Sequence, residues 1–232
     1  SIPSEGIDDV VIPIEMIRKE FAETTAAILS NAEPKFQDQY NECRSDFDDF
    51  LQSIKPDVNY MVQHFEMKKS ADAYARQQVH RTGVLDTTKL HQYKITEDIF
   101  LSQTVLPNGK SHGLVMFLDW SGSMSGVAMS TVKQIILLTQ FCRKAQIAFE
   151  VYTFTSGDRN KWATDESPTL KGDKLISYNC LAVARILSSE SKKQELETDM
   201  FNIYAQAYRS KSYGYGSKLP YCSLLGFNGT PL

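Results

Sequence analysis

Cysteine is scarce in this chain. The four residues of that type in 232 (Cys43, Cys142, Cys180 and Cys222) form no C-x-x-C pair, which argues against a structural zinc site. Sparse thiols in so long a chain fit a reducing compartment and buried cysteines. No apolar run reaches membrane-spanning length and no signal-peptide pattern opens the chain, so a soluble, cytoplasmic protein is expected. A net charge of −3 gives no global attraction to nucleic acid or to anionic membrane. No G-x-x-x-x-G-K-[ST] occurs, so ATP is not bound in the P-loop manner. Gly122-Ser123-Met124-Ser125-Gly126 places Met124 where a nucleophile elbow requires Ser, and an enzyme in its own right is not supported. The four histidines (His64, His80, His91, His112) lack metal-ligand spacing. Residue 1 is Ser rather than Met, so a trimmed, processed or missing start is expected.

What is present centres on Gly113 to Ser125. Leu114, Val115, Met116, Phe117 and Leu118 run without alternation, the pattern of a strand buried on both faces of a helix-covered sheet. Asp119 ends the run, and Ser121 and Ser123 follow at two-residue spacing. The carboxyl end of a central strand is where open α/β sheets bind ligands. All three side chains offer oxygen, the donor that Mg²⁺, Ca²⁺ and Mn²⁺ prefer. The plainer reading makes Asp119 a helix N-cap and the serines turn residues. Capping accounts for one of the three side chains, hardly for all.

The length allows one large domain or two smaller ones. Residues 1–12 read as a polar arm. Pro13 fits a first helical position, with Ile14, Ile17, Phe21, Thr24 and Ile28 at helical spacing. A second helix follows Pro34, and Phe36, Tyr40, Cys43, Phe47, Phe50 and Ile54 form a heptad-like stripe. That stripe serves either an antiparallel helical hairpin or a coiled coil with another chain. Lys55-Pro56-Asp57 ends this helix and a third begins near Asp57. Six cations between Lys68 and Lys94 form either a solvated helix face or a docking surface for an acidic partner. They lack the aromatic interleaving of a nucleic-acid groove. Residues 81–86 read as a turn, followed by a short helix through Leu90 and His91. Residues 97–105 read as a strand, and Pro107-Asn108-Gly109-Lys110 as a turn that returns the chain into the Gly113 strand. That hairpin would add an antiparallel edge to an otherwise parallel sheet. A buried helix over 127–143 and a strand over 146–154 complete a βαβ unit. Residues 156–174 form a polar loop, 175–188 a short strand or helix, and 195–209 a helix.

Leu118-Asp119-Trp120-Ser121-Gly122-Ser123-Met124 resembles the metal-ion-dependent adhesion site, D-x-S-x-S, of von Willebrand factor A (vWA) domains. With Thr82-Gly83-Val84-Leu85-Asp86, Lys89-Leu90, residues 150–155, Trp162 and residues 224–230, the likeness extends to the cobaltochelatase CobT type, in a form similar to CobT-like proteins of tailed phages. It covers roughly residues 60 to 232. The resemblance implies an α/β fold with a vWA (Rossmann-like), mostly parallel sheet flanked by helices, over residues 95–232. An α-helical N-terminal region over 1–94 precedes it. It implies that Asp119, Ser121, Ser123 and Thr230 (in Gly229-Thr230-Pro231-Leu232) hold Mg²⁺, with Ca²⁺ and Mn²⁺ as alternatives, and that a partner carboxylate completes the shell. Read without the resemblance, Thr230 is a plain loop residue. The implied role is a non-catalytic interaction subunit working with a CobS/MoxR-type AAA+ ATPase, and with a large chelatase subunit where the task is metal insertion. For a phage protein the compartment is the host cytoplasm. No nucleic acid or membrane is implied, and self-association stays open. The third metal loop of vWA domains, an Asp before Gly, does not follow Thr230, so the C-terminal part of the domain is expected to be absent from this chain. The rival expectation is a metal-independent assembly protein that oligomerises through its N-terminal helices.

Overall fold

The computed structural model describes residues 11–30, 34–75, 78–85, 100–105, 113–156, 181–212 and 219–225. A two-residue strand, β1 (Val11–Ile12), leads into Pro13, whose φ of −67° and ψ of 147° make it the N-cap of α1 (Ile14–Leu29) and not its first residue. Ile14, Ile17, Phe21 and Ile28 of α1 are buried, as their spacing requires. The next helix, α2, spans Pro34–Ser53. Ile54 alone separates it from α3 (Lys55–Ala75), so Pro56 sits in the first turn of α3, where its missing N–H costs nothing.

By its contacts the chain falls into two compact units, Ser1–Val58 with Gly113–Leu232, and Asn59–His112. The second unit contains most of α3 and an antiparallel hairpin of β2 (Gln78–Leu85) and β3 (Phe100–Val105), irregular in register between Arg81 and Leu85. Two local expectations are corrected here. Residues 81–85 are strand and not turn, and the strand ending at Val105 pairs with β2. The short helix around Leu90 and the turn at Pro107 lie outside the described residues.

The first unit is α/β. Its sheet has four strands in the order β1-β6-β5-β4, where β4 is Leu114–Asp119, β5 Phe149–Ser156 and β6 Leu181–Ser188. β1 runs parallel to β6 and β4 parallel to β5, while β5 and β6 are antiparallel. Two of the three ladders are therefore parallel. α4 (Ala128–Lys144) is the crossover from β4 to β5. It stops in a Schellman motif: Ile147 N–H donates to the Cys142 carbonyl (2.9 Å) and Gln146 N–H to that of Arg143 (3.3 Å), with Gln146 at φ 56°. α5 (Lys193–Ser212) packs against α4, α2 and β6, and α1 packs against β6 and α2. The apolar stripe of α2 is used within the chain. Phe47 meets the ring of Phe201 at 5.5 Å and that of Tyr204 at 5.2 Å, both edge-on, and Cys43 is fully buried beside them. Cys43, Cys142 and Cys222 are free and buried, as sparse thiols suggest; Cys180 lies outside the described residues.

Strand β4 departs from expectation. Leu118, Phe149, Val151, Thr153 and Ala184 seal one face of the sheet, but Val115 is 55% and Phe117 66% exposed on the other. Phe117 stacks on its ladder partner Tyr152 at 5.7 Å. The unbroken apolar run read as buried on both faces; β4 is instead an edge of the described sheet, with one face under helices and the other open to solvent.

Thr139 of α4 is fully buried, and its hydroxyl has no hydrogen-bond partner among the described residues. Burial of an unsatisfied hydroxyl costs free energy that an isosteric methyl does not. Thr139→Val is expected to raise stability by about 1 kcal/mol, read as a higher urea midpoint at unchanged slope; a lower midpoint would refute it.

Candidate metal centre

Asp119 is the last residue of β4, paired in register with Phe154 of β5. The chain leaves the sheet there and turns sharply. Ser121 N–H donates to Asp119 Oδ1 at 2.9 Å, an Asx turn that fixes the carboxylate over the loop. Trp120 N–H donates to the Phe154 carbonyl at 2.9 Å, holding the exit against β5. A single 3₁₀ turn follows at Gly122–Met124. The hydroxyls of Ser121, fully buried, and Ser123, exposed, lie 3.1 Å apart.

This geometry tests the capping reading of Asp119. The N-cap of α4 is Val127 and that of the 3₁₀ turn is Ser121, and neither makes a side-chain cap bond. Asp119 caps neither helix. The donor set also fits a hard cation. Two cis ligands of an octahedral Mg²⁺ with bonds of about 2.1 Å stand about 3.0 Å apart, close to the 3.1 Å between Ser121 Oγ and Ser123 Oγ. Among the described residues no three His, Cys, Asp or Glu side chains converge, so a cation here would rest on one carboxylate and neutral hydroxyls. The structure thus brings together Asp119, Ser121 and Ser123. Thr230 lies outside the described residues.

Sequence reasoning missed what stands behind the loop. Trp120 is 1% exposed, and its indole N–H donates to the Leu225 carbonyl at 2.7 Å. Gln206 of α5 donates through Nε2 to the same carbonyl at 3.0 Å and to that of Cys222 at 3.3 Å, and its Oε1 accepts the Cys222 N–H at 3.0 Å. Glu20 of α1 accepts the Ser223 N–H at 2.7 Å and the Cys222 thiol at 2.9 Å. Burial pushes the Glu20 carboxyl up, but the bonds from Cys222 and Ser223 outweigh it and hold it below the usual carboxylate range. Burial, with Glu20 beside it, drives the Cys222 thiol far up and keeps it protonated. A signal for this existed: Asp199, Asn202 and Gln206 are polar residues at three- and four-residue steps within the stretch of α5 that is buried throughout, residues 199–207.

No family model, no curated protein and no solved structure matches this chain. Among the described residues no helix is long and apolar enough to cross a membrane.

Proposed function

We propose that this chain is a non-catalytic, divalent-metal-dependent interaction subunit of the vWA type, CobT-like, that works with a CobS/MoxR-type AAA+ ATPase in a chelatase-like or complex-remodelling machine. One observation carries the reading: Asp119 ends a sheet strand, caps no helix, and turns directly into two hydroxyls 3.1 Å apart. Asp119 supplies the anionic oxygen, Ser121 and Ser123 two neutral ones, and Thr230 a fourth donor by resemblance. A Mg²⁺ bound there, with Ca²⁺ or Mn²⁺ in its place under other conditions, is electron-poor and favours an Asp or Glu from outside. The chain's own part is to hold those oxygens at the rim of the sheet and to present them to a partner.

The rival, a metal-independent assembly protein oligomerising through its N-terminal helices, draws less support because α1 and α2 bury their apolar stripes on α5 and β6 of the same chain.

Capture of partners from lysate, with Mg²⁺ or with EDTA, by the intact chain and by Asp119→Ala tests the reading. An AAA+ ATPase is expected to be retained only with Mg²⁺ and intact Asp119. Retention indifferent to both would overturn it.

A further inference from the structure

The segment Leu219–Leu225 is gripped from three sides. Trp120 and Gln206 both donate to the carbonyl of Leu225. Gln206 also closes a two-way bond with the backbone of Cys222, while Glu20 holds Cys222 and Ser223. On α1, one turn beyond Glu20, Thr24 Oγ1 lies 3.0 Å from the Tyr221 carbonyl and 3.3 Å from its N–H. Trp120 is the residue between Asp119 and Ser121, so its indole and its main chain fix the peptide that joins two of the oxygen donors. The bonds form one continuous path: loop, Trp120, Leu225, Gln206, Cys222, Glu20, α1. Every link is a hydrogen bond between buried or half-buried groups, where a bond once made is costly to leave unmade.

We infer that Trp120, Gln206 and Glu20 are positioning residues that lock the Asp119–Ser123 loop in its cation-binding shape, and that the docking of α1 is thereby coupled to cation affinity. The inference rests on reading Asp119, Ser121 and Ser123 as a cation site. Groups behind a metal's direct ligands orient them, and their loss typically lowers affinity 10- to 100-fold. Gln206 is the key joint, since it bonds the backbone of Cys222 and of Leu225 at once. Glu20 is the lever, since it is the carboxylate through which α1 reaches the same backbone. Coupling of this kind is reciprocal: a cation on the loop tightens α1 to the segment by the same factor by which α1 tightens the cation.

The test is calorimetric titration of the full chain with Mn²⁺ and with Mg²⁺, for wild type, Gln206→Met, Glu20→Gln and Phe47→Leu. Phe47→Leu loosens the α2–α5 packing without touching the path and serves as the control for stability alone. Gln206→Met is expected to weaken binding about tenfold or more and Glu20→Gln several-fold, while Phe47→Leu stays within about twofold of wild type. Should Gln206→Met not fold, hydrogen exchange on the wild-type chain reads the same coupling: Mg²⁺ is expected to slow exchange at the Cys222 and Ser223 amides. Unchanged affinity in folded Gln206→Met, an equal loss in Phe47→Leu, or unchanged exchange at Cys222 and Ser223 overturns the coupling and leaves the cation reading standing. Failure of the wild-type chain to bind either cation overturns the cation reading itself, and the coupling with it.

Discussion

Mg²⁺ at 100 times its dissociation constant is expected to stabilise the intact chain by about 2.7 kcal/mol, and Asp119→Ala is expected to erase the whole increment. For a chain of 232 residues that increment corresponds to roughly 5–10 °C in melting temperature. The reasoning is one of charge. Asp119 is the sole carboxylate among the three donors the structure brings together, and two neutral hydroxyls cannot offset the dehydration of a divalent ion. Ser121→Ala and Ser123→Ala, which keep that carboxylate, should each retain part of the increment. Without metal, Asp119→Ala should cost only about 1 kcal/mol, the worth of its bond to the Ser121 amide. Differential scanning calorimetry with and without Mg²⁺ separates the two effects. An increment that survives in Asp119→Ala would place the cation elsewhere.

The second large effect lies where α1 meets α5. Arg18 donates through Nε to both oxygens of Asp199 (3.0 and 3.1 Å) and through Nη2 to Oδ2 at 2.6 Å; it also reaches Ser191 (2.7 Å) and Glu195 (3.3 Å). Asp199 is 4% exposed and Arg18 26%. Burial lifts the Asp199 carboxyl above its usual value even with Arg18 holding it down, whereas the bond to Asp199 raises Arg18 in turn. Arg18→Met leaves a buried carboxylate without its cation, and is expected to cost about 3 kcal/mol at pH 7.

The pH dependence has a definite sign. An acid whose folded pKa lies above its unfolded value binds protons more readily when native, so its contribution grows as pH falls and is lost as pH rises through the folded pKa. Removing Arg18 raises that folded pKa further. The deficit of Arg18→Met should therefore be greatest near neutrality and shrink in mild acid, below the raised pKa. Guanidinium unfolding at pH 7 and near pH 4.5 measures it. A deficit that widens toward acid would contradict the role assigned to Asp199.

The order strand, oxygen loop, helix, strand was legible because each piece is specified locally. An apolar run, a two-residue hydroxyl spacing, a periodic stripe and an alternating segment each occupy a few neighbouring residues. What was not legible depends on distant partners. Leu181–Ser188 holds two alanines and an arginine among its β-branched residues and reads equally as helix or strand; its pairing with β5 decides. The exposure of Val115 and Phe117 follows from how many neighbours flank β4, which no residue of β4 records. Residues 100–105 carried a fair strand signal, but their pairing with β2 did not follow from the turn signal at Pro107. The grip on the loop was hidden for the same reason. Trp120 is tied to a backbone carbonyl 105 residues away, and a carbonyl has no sequence signature.

The ties of α1 and β1 to Asp199 and β6 also impose an order of events during synthesis. Arg18 leaves the ribosome 181 residues before Asp199, and β1 pairs with Val183 and Ala184 of β6. At about 5–20 residues per second, α1 waits roughly 10–35 s for its seat. Through that interval Ile14, Ile17, Phe21 and Ile28, all buried in the finished fold, lack the β6 surface against which α1 packs. β4, α4 and β5 close their parallel ladder from a compact stretch of chain meanwhile. The nascent protein thus carries an unseated greasy helix, the kind of segment a ribosome-associated chaperone engages, until β6 and α5 emerge to receive it.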